Sequence, residues 1–219
     1  TGKGAQNGLL IKNAEILENA HKINTVVFDK TGTITNGTPK VTDFIHYTDQ
    51  AELLDALYSI ELKSEHPLAT ALCEFAKNSG ANQSEVIDFE SVDGVGLKGV
   101  VNGKNYLIGN LKGSSLPQSE SLNTSIKKLT KKGKTPIIIA VNGVIGALIG
   151  IKDDLKPHTK QAINLLKKRG IKVVMLTGDN YSTARAIVDE FGIEELFAEV
   201  YPAQIQDVIK QLKEDKKSF

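Results

Sequence analysis

Two short runs in this chain combine residue types that could handle phosphate. The first, Asp29-Lys30-Thr31-Gly32-Thr33, follows the apolar, β-branched stretch Thr25-Val26-Val27-Phe28. That stretch reads as a buried strand. In an open α/β sheet, ligands collect at the carboxyl ends of strands, and a carboxylate there can attack phosphorus as a nucleophile. Gly32 permits a tight turn, so main-chain amides can face a phosphate. The second run, Thr177-Gly178-Asp179, ends the apolar stretch Val173-Val174-Met175-Leu176. A threonine hydroxyl can hydrogen-bond a phosphate oxygen, and Gly178 allows close approach. Either run alone is an ordinary polar turn. Two of them closing two buried strands amount to a site.

Two further groups stand between these runs. Ser64-Glu65-His66-Pro67 precedes a helical apolar pattern of Ala69, Leu72, Cys73 and Ala76. A histidine there would ordinarily be a surface or capping residue. Gly94-Val95-Gly96-Leu97-Lys98-Gly99 matches GxGxxG literally, but that dinucleotide fingerprint needs a strand before it and a helix after it. Here Val100-Val101-Asn102-Gly103-Lys104, a hairpin signal, follows at once. Gly133-Lys134-Thr135 resembles a P-loop ending, but Lys128 occupies the place of the leading glycine of GxxxxGK[ST].

The elements that must position these groups fall into two textures. Helices are predicted over 49–58, 67–78 and 119–132, with Asn-Gly turns at 102–103 and 142–143. The middle of the chain therefore reads as α+β with antiparallel hairpins. After residue 151, helices over 157–169, 182–191 and 202–213 alternate with strands over 171–176 and 196–200. Such alternation implies a parallel sheet. The simplest organisation is an α/β domain, residues 1–41 and 151–219, split by an inserted domain of residues 42–150.

Composition sets the outer bounds. The 219 residues carry a formal charge of +1 and are 40% apolar, an ordinary globular balance. Lysines such as Lys127, Lys128, Lys131 and Lys132 are interleaved with apolar residues and read as a solvated helix face. No nucleic acid partner is expected. A single cysteine, Cys73, excludes an internal disulfide and fits a reducing compartment. In its apolar pattern it reads as a small core residue. The longest apolar run, 137–151, is broken by Asn142-Gly143 and Gly146, short of the roughly 20 residues of a membrane span. The chain starts at Thr1 without methionine, so it is expected to be part of a larger protein.

Taken together and in order, these runs resemble the heavy-metal (CPx-type) branch of the P-type ATPases, its copper-transporting members most. Asp-Lys-Thr-Gly-Thr after an apolar strand is that family's phosphorylation signature, and Ser-Glu-His-Pro resembles its nucleotide-site motif. The resemblance implies a haloacid-dehalogenase-like, Rossmann-type phosphorylation domain, discontinuous, around an inserted α+β nucleotide-binding domain with an antiparallel sheet. It implies Asp29 as the phosphorylated nucleophile, with Lys30, Thr31, Thr33, Thr177, Gly178 and Asp179 around it. Mg²⁺ would be held by Asp29 and the Thr31 carbonyl. ATP would bind at Glu65, His66, Gly94, Gly96, Leu97, Gly109 and Asn110, with His66 against the adenine ring and Glu65 at its amino group. Asp154-Leu155-Lys156-Pro157 resembles the hinge returning into the phosphorylation domain. The implied partners are a heavy-metal ion bound elsewhere in the parent chain and that chain's transmembrane and actuator domains. The implied location is the cytoplasmic face of a membrane.

The alternatives are a zinc, cadmium or other metal pump, a nucleotide-binding fragment without turnover, and a soluble phosphatase of the superfamily. Such phosphatases place a second Asp, a general acid and base, where this chain has Thr31. Two features depart from the family's pattern. Ile205 stands where the family has a lysine three residues after Pro202, with Lys210 the nearest substitute. The family's acidic Gly-Asp-Gly-x-Asn-Asp loop would fall just beyond Lys217, and the chain ends at Phe219. The resemblance thus implies a chain that binds ATP and turns it over slowly.

Overall fold

The computed structural model describes residues 2–6, 8, 10, 11, 13–200 and 202–214. In chain order, α1 (Gly2–Gln6) and α2 (Ala14–Ala20) lead into β1 (Thr25–Asp29). Then follow β2 (Lys40–His46), α3 (Gln50–Glu61), α4 (Ala69–Asn78), β3 (Ile87–Val92), β4 (Gly96–Val101), β5 (Lys104–Gly109), α5 (Leu111–Ser114), α6 (Glu120–Lys131), β6 (Thr135–Val141) and β7 (Val144–Lys152). The chain continues with α7 (Thr159–Lys168), β8 (Lys172–Leu176), α8 (Tyr181–Phe191), β9 (Glu195–Phe197) and α9 (Ile205–Glu214).

The strands form two sheets. The first has the order β1-β8-β9 and is parallel throughout. Val173, Val174 and Met175 of its central strand are fully buried, as a parallel strand covered on both faces requires. Ile163 of α7 and Ala184, Ile187, Val188 and Phe191 of α8 pack on this sheet. The second sheet is antiparallel, in the order β2-β7-β6-β5-β4-β3. On one face Leu53, Leu57 and Ile60 of α3 and Leu72 and Ala76 of α4 meet Ile139 and Ile149. On the other, Leu122 and Leu129 of α6 meet Ile138 and Leu148. Successive strand residues face opposite sides, so helices on both faces explain why β6 and β7 are apolar without alternation. Among the described residues, no helix is long and apolar enough to cross a membrane.

Local signals explain most element ends. Asn102 and Gly103, and Asn142 and Gly143, all have positive φ (49°, 74°, 49° and 82°), the type I′ pattern of tight hairpins. Ser119 caps α6 by accepting from the Leu122 amide. The helix predicted from Pro67 starts at Ala69, because the Leu68 amide bonds to His66 Nδ1 at 3.2 Å and holds a turn first. The helix predicted over 202–213 is a 3₁₀ turn, Pro202–Gln204, followed by α9.

The two sheets are joined by two antiparallel connections. Thr35 and Leu155 form a bridge, Asn36 N–H donates to Asp154 O at 2.8 Å, and Lys156 N–H to Ile34 O at 3.0 Å. Asp153 clamps the crossing. Its carboxylate accepts from Thr35 Oγ1 at 2.6 Å and from the Gly37 and Thr38 amides, each at 3.1 Å. The hinge run expected at 154–157 contributes main-chain bonds and Lys156, and the clamping side chain is one residue earlier.

Candidate active site and nucleotide pocket

Asp29 is the last residue of β1 and is exposed. Its register partner on β8 is Leu176, so Thr177 is the next residue beyond that partner. Asp29 and the Thr177–Asp179 turn therefore share the carboxyl edge of one parallel sheet, where such sheets bind ligands. The loop after Asp29 turns at Gly32, whose φ of +75° is left-handed. Thr35, fully buried, holds it: Thr35 Oγ1 accepts from the Gly32 amide at 3.2 Å while donating to Asp153. Lys156 Nζ donates to Gly32 O at 2.5 Å. Thr31 and Thr33 are exposed on this loop.

Lys30 points the other way. It is 7% exposed, and its ammonium pairs with the carboxylate of Asp179. This pair ties the two turns together across the strand ends. Thr177 is also buried. Its amide donates to Phe197 O at 2.9 Å, and its hydroxyl accepts from the Asp179 amide at 3.1 Å. Lys210, the substitute for the lysine replaced by Ile205, lies exposed on α9 with its ammonium 3.8 Å from Asp207.

The seven residues expected around a nucleotide line one cavity of about 810 Å³: Glu65, His66, Gly94, Gly96, Leu97, Gly109 and Asn110. Gly178 also lines it, so the cavity reaches the turn beside Asp29. Two glycines create its backbone wall. A Cβ on Gly96, at φ +138°, would lie 2.1 Å from Ile108 O, and one on Gly109 would lie 2.1 Å from Val95 O. Strands β4 and β5 thus touch main chain to main chain, and Asn110 N–H closes the corner on Val95 O at 2.7 Å. His66 sits exposed on the rim, and partial burial of its ring lowers its pKa. It is therefore neutral at pH 7. Because Nδ1 accepts from Leu68, Nε2 carries the proton.

Sequence reasoning missed Glu61. This last residue of α3 is 5% exposed and lines the cavity, whereas Glu65 is exposed. The helix predicted over 49–58 stops short of it; α3 runs on to Glu61, which falls one turn beyond Leu57 on the same apolar stripe. Burial pushes its carboxyl from 4.5 up to about 7. A raised carboxyl pKa means that the folded state favours the proton. This contribution to stability is fully present below pH 4.5, declines as pH rises, and is lost above about pH 7. The difference amounts to about 3 kcal/mol. Glu61→Gln should therefore gain on the natural chain by up to that amount at pH 8, and not at pH 4.5 or below. Urea midpoints at the two pH values measure it, and parallel curves for the two proteins would contradict it.

Residues 23–218 match the haloacid dehalogenase-like hydrolases. The chain belongs to that family. Among its relatives, the copper-exporting P-type ATPase of Staphylococcus saprophyticus is 42% identical over 100% of this chain, which covers 28% of that protein. The copper-exporting P-type ATPase B of Archaeoglobus fulgidus is 37% identical over 98% of this chain and 31% of its own length. The chain thus spans between a quarter and a third of the curated relatives it matches. Among solved structures, the catalytic domain of the CPx-ATPase CopB-B is similar, with a TM-score of 0.69 and 29% identity over 98% of this chain and 77% of that one. A zinc-transporting PIB-type ATPase in the E2.Pi state reaches a TM-score of 0.66 at 31% identity, over 97% of this chain and 35% of that one. The fold of this chain is α/β, a parallel sheet carrying an antiparallel six-stranded insert.

Proposed function

We propose that this chain is the catalytic portion of a heavy-metal-transporting P-type ATPase, with copper(I) as the exported ion. In this reading residues 42–150 bind ATP, and residues 1–41 with 151–219 form the phosphorylation domain whose Asp29 takes the γ-phosphoryl group. The observation that carries it is the single cavity running from the His66 rim and the Gly96–Gly109 wall to Gly178, beside Asp29. The copper assignment rests on relatives named as copper exporters; a zinc-transporting relative has a similar fold. The transported ion would bind elsewhere in the parent protein, whose transmembrane and actuator domains would be the partners of this part, at the cytoplasmic face of a membrane.

The adenine ring lies against the neutral imidazole of His66 and on the bare backbone of Gly96 and Gly109. Glu65 on the rim accepts from the exocyclic amine, and Glu61, buried at the same wall, is a second acceptor for that donor, which offsets its desolvation. Asn110 and Gly94 border the sugar, and the phosphates extend toward Gly178. A carboxylate oxygen of Asp29 forms the new bond to the γ-phosphorus as the β–γ oxygen bridge breaks and ADP leaves. Thr177 and the amides near Gly32 receive the phosphoryl oxygens, the preorganised donors such a transfer relies on.

Mg²⁺ suits the hard oxygen donors available, the Asp29 carboxylate and the Thr31 carbonyl. Among the described residues no group of three His, Cys, Asp or Glu side chains could hold a metal by itself. Mg²⁺ is usually held by one or two carboxylates plus substrate phosphates. When bound it neutralises phosphate charge. Thr31 has no group to activate water, so the aspartyl phosphate persists.

The test is His66→Gln. It should weaken ATP binding about five- to ten-fold in a calorimetric titration, the worth of one aromatic contact of about 1–1.4 kcal/mol. The thermal midpoint should stay put, since the side chain is exposed on a rim. Unchanged affinity would remove ATP from this cavity.

A further inference from the structure

Among the described residues, and apart from the hinge strands, two side-chain contacts join the halves of the molecule. One lies near the hinge, where Thr183 Oγ1 of α8 donates to Lys134 O at 3.1 Å and Gly133 faces Ile187. The other lies beside the cavity, next to the segments that carry its lining residues Asn110 and Gly178. There Lys112 of α5 reaches across to Glu199, with Nζ 2.7 Å from Oε1.

Both ends of this ion pair are built in. On the nucleotide side, Lys112 follows Asn110 by two residues, and its amide is capped by the Asn110 side chain at 3.0 Å. Gly113 packs on the glycine loop: a Cβ there would lie 2.4 Å from Gly94 O. The backbone carrying Lys112 is thus fixed to the loop that lines the pocket. On the other side, Glu199 adopts a left-handed backbone, φ +59°, a conformation that costs a non-glycine residue about 1–2 kcal/mol. Its amide donates to Asp179 O at 2.9 Å. Its carboxylate accepts from Lys112, and that bond, with a smaller contribution from the Tyr181 main chain, holds its pKa below the ordinary value. Asp179 in turn is paired with Lys30, next to Asp29. One cation therefore links the nucleotide loop to the turn beside the nucleophile.

We propose that Lys112 and Glu199 form an electrostatic latch that holds the nucleotide cavity closed against the phosphorylation site. They are positioning residues: neither reacts, and together they fix the distance across which the phosphoryl group travels. This inference rests on the reading of the cavity as an ATP site and of Asp29 as the acceptor.

The test is a charge-swap cycle in the full chain: Lys112→Glu, Glu199→Lys, and both together. Spin labels at Lys98→Cys on β4 and Lys160→Cys on α7, two exposed positions, report the separation of the halves in a Cys73→Ser background. Each single reversal should lengthen and broaden the measured distance in low salt, and the double swap should restore it. Transfer of the γ-phosphoryl group to Asp29 should fall about five-fold in each single variant, the scale of an exposed ion pair. It should return to within about two-fold in the swap, with the dissociation constant of a non-hydrolysable ATP analogue unchanged throughout. The differences should shrink between 0.1 and 1 M salt, as the screening length falls from about 10 to about 3 Å; a merely structural defect would not respond. Unaltered distances in both single reversals, or a double swap as open as either single, would overturn the latch. If the natural chain never labels at Asp29, the functional reading fails, and the distance measurements still judge the latch.

Discussion

Gly109→Ala should lower ATP affinity by roughly 10²-fold while leaving the parallel sheet folded. The new methyl would be placed 2.1 Å from Val95 O and 2.7 Å from the Gly96 Cα. Both are backbone atoms, Gly96 paired with Gly109 across β4–β5 and Val95 O bonded to the Asn110 amide, so neither can swing aside as a flexible side chain would. Relief requires the two strands to part at the corner that Asn110 closes on Val95. Forced overpacking of this kind costs about 3 kcal/mol or more. Spent on the pocket geometry, that cost lowers ATP affinity by roughly 10²-fold. Gly103→Ala is the control: it stands at a hairpin tip with open space around it, so only its left-handed φ of +74° is strained. Calorimetric titration distinguishes them. Near-natural affinity in Gly109→Ala would mean that the backbone wall does not touch the nucleotide.

Lys30→Met should damage stability and transfer by separable routes. The Lys30 side chain is 9% exposed and that of Asp179 21%. Removing the cation leaves a largely buried carboxylate unpaired beside Asp29, at a cost of about 3 kcal/mol. It also removes a fixed positive charge from the proposed phosphate site, a loss that typically costs about 10²–10³ in rate. Lys30→Met with Asp179→Leu should recover most of the stability, because replacing a whole buried pair by apolar groups is often neutral. Phosphorylation should stay low in the double variant. ATP affinity should not change in either, since the cavity is lined from the other sheet apart from Gly178. Full-rate phosphorylation in Lys30→Met would show that the pair is scaffolding alone.

What could be read from the sequence was what local chemistry dictates. The strand into Asp29, the strand into Thr177, and both Asn-Gly hairpins follow from β-branched runs and from residues that accept positive φ. The cavity-lining glycines were legible through their resemblance to a known loop, but the reason for Gly109 was not: its constraint is a contact with Val95 across two strands. Glu61 escaped because an acidic residue at the end of a helix is normally solvated. Only the packing of α3 on the six-stranded sheet shows that this position is a wall of the pocket. Asp153 was passed over for its neighbour Asp154, since nothing local distinguishes two adjacent aspartates. Its partners, Thr35, Gly37 and Thr38, are more than a hundred residues away in sequence. The Lys112–Glu199 pair joins residues of different halves and carries no local signal at all.

The most direct test of the central claim follows the phosphoryl group itself. The chain is incubated with Mg²⁺ and ATP radiolabelled at either the α- or the γ-phosphate, quenched in acid, digested and mapped. The expected result is label from the γ position only, released by hydroxylamine as an acyl phosphate must be, on the peptide containing Asp29, and absent from Asp29→Asn. Label that persists in Asp29→Asn, label on a different residue, or an ATP-saturated chain with no label at Asp29 would contradict it.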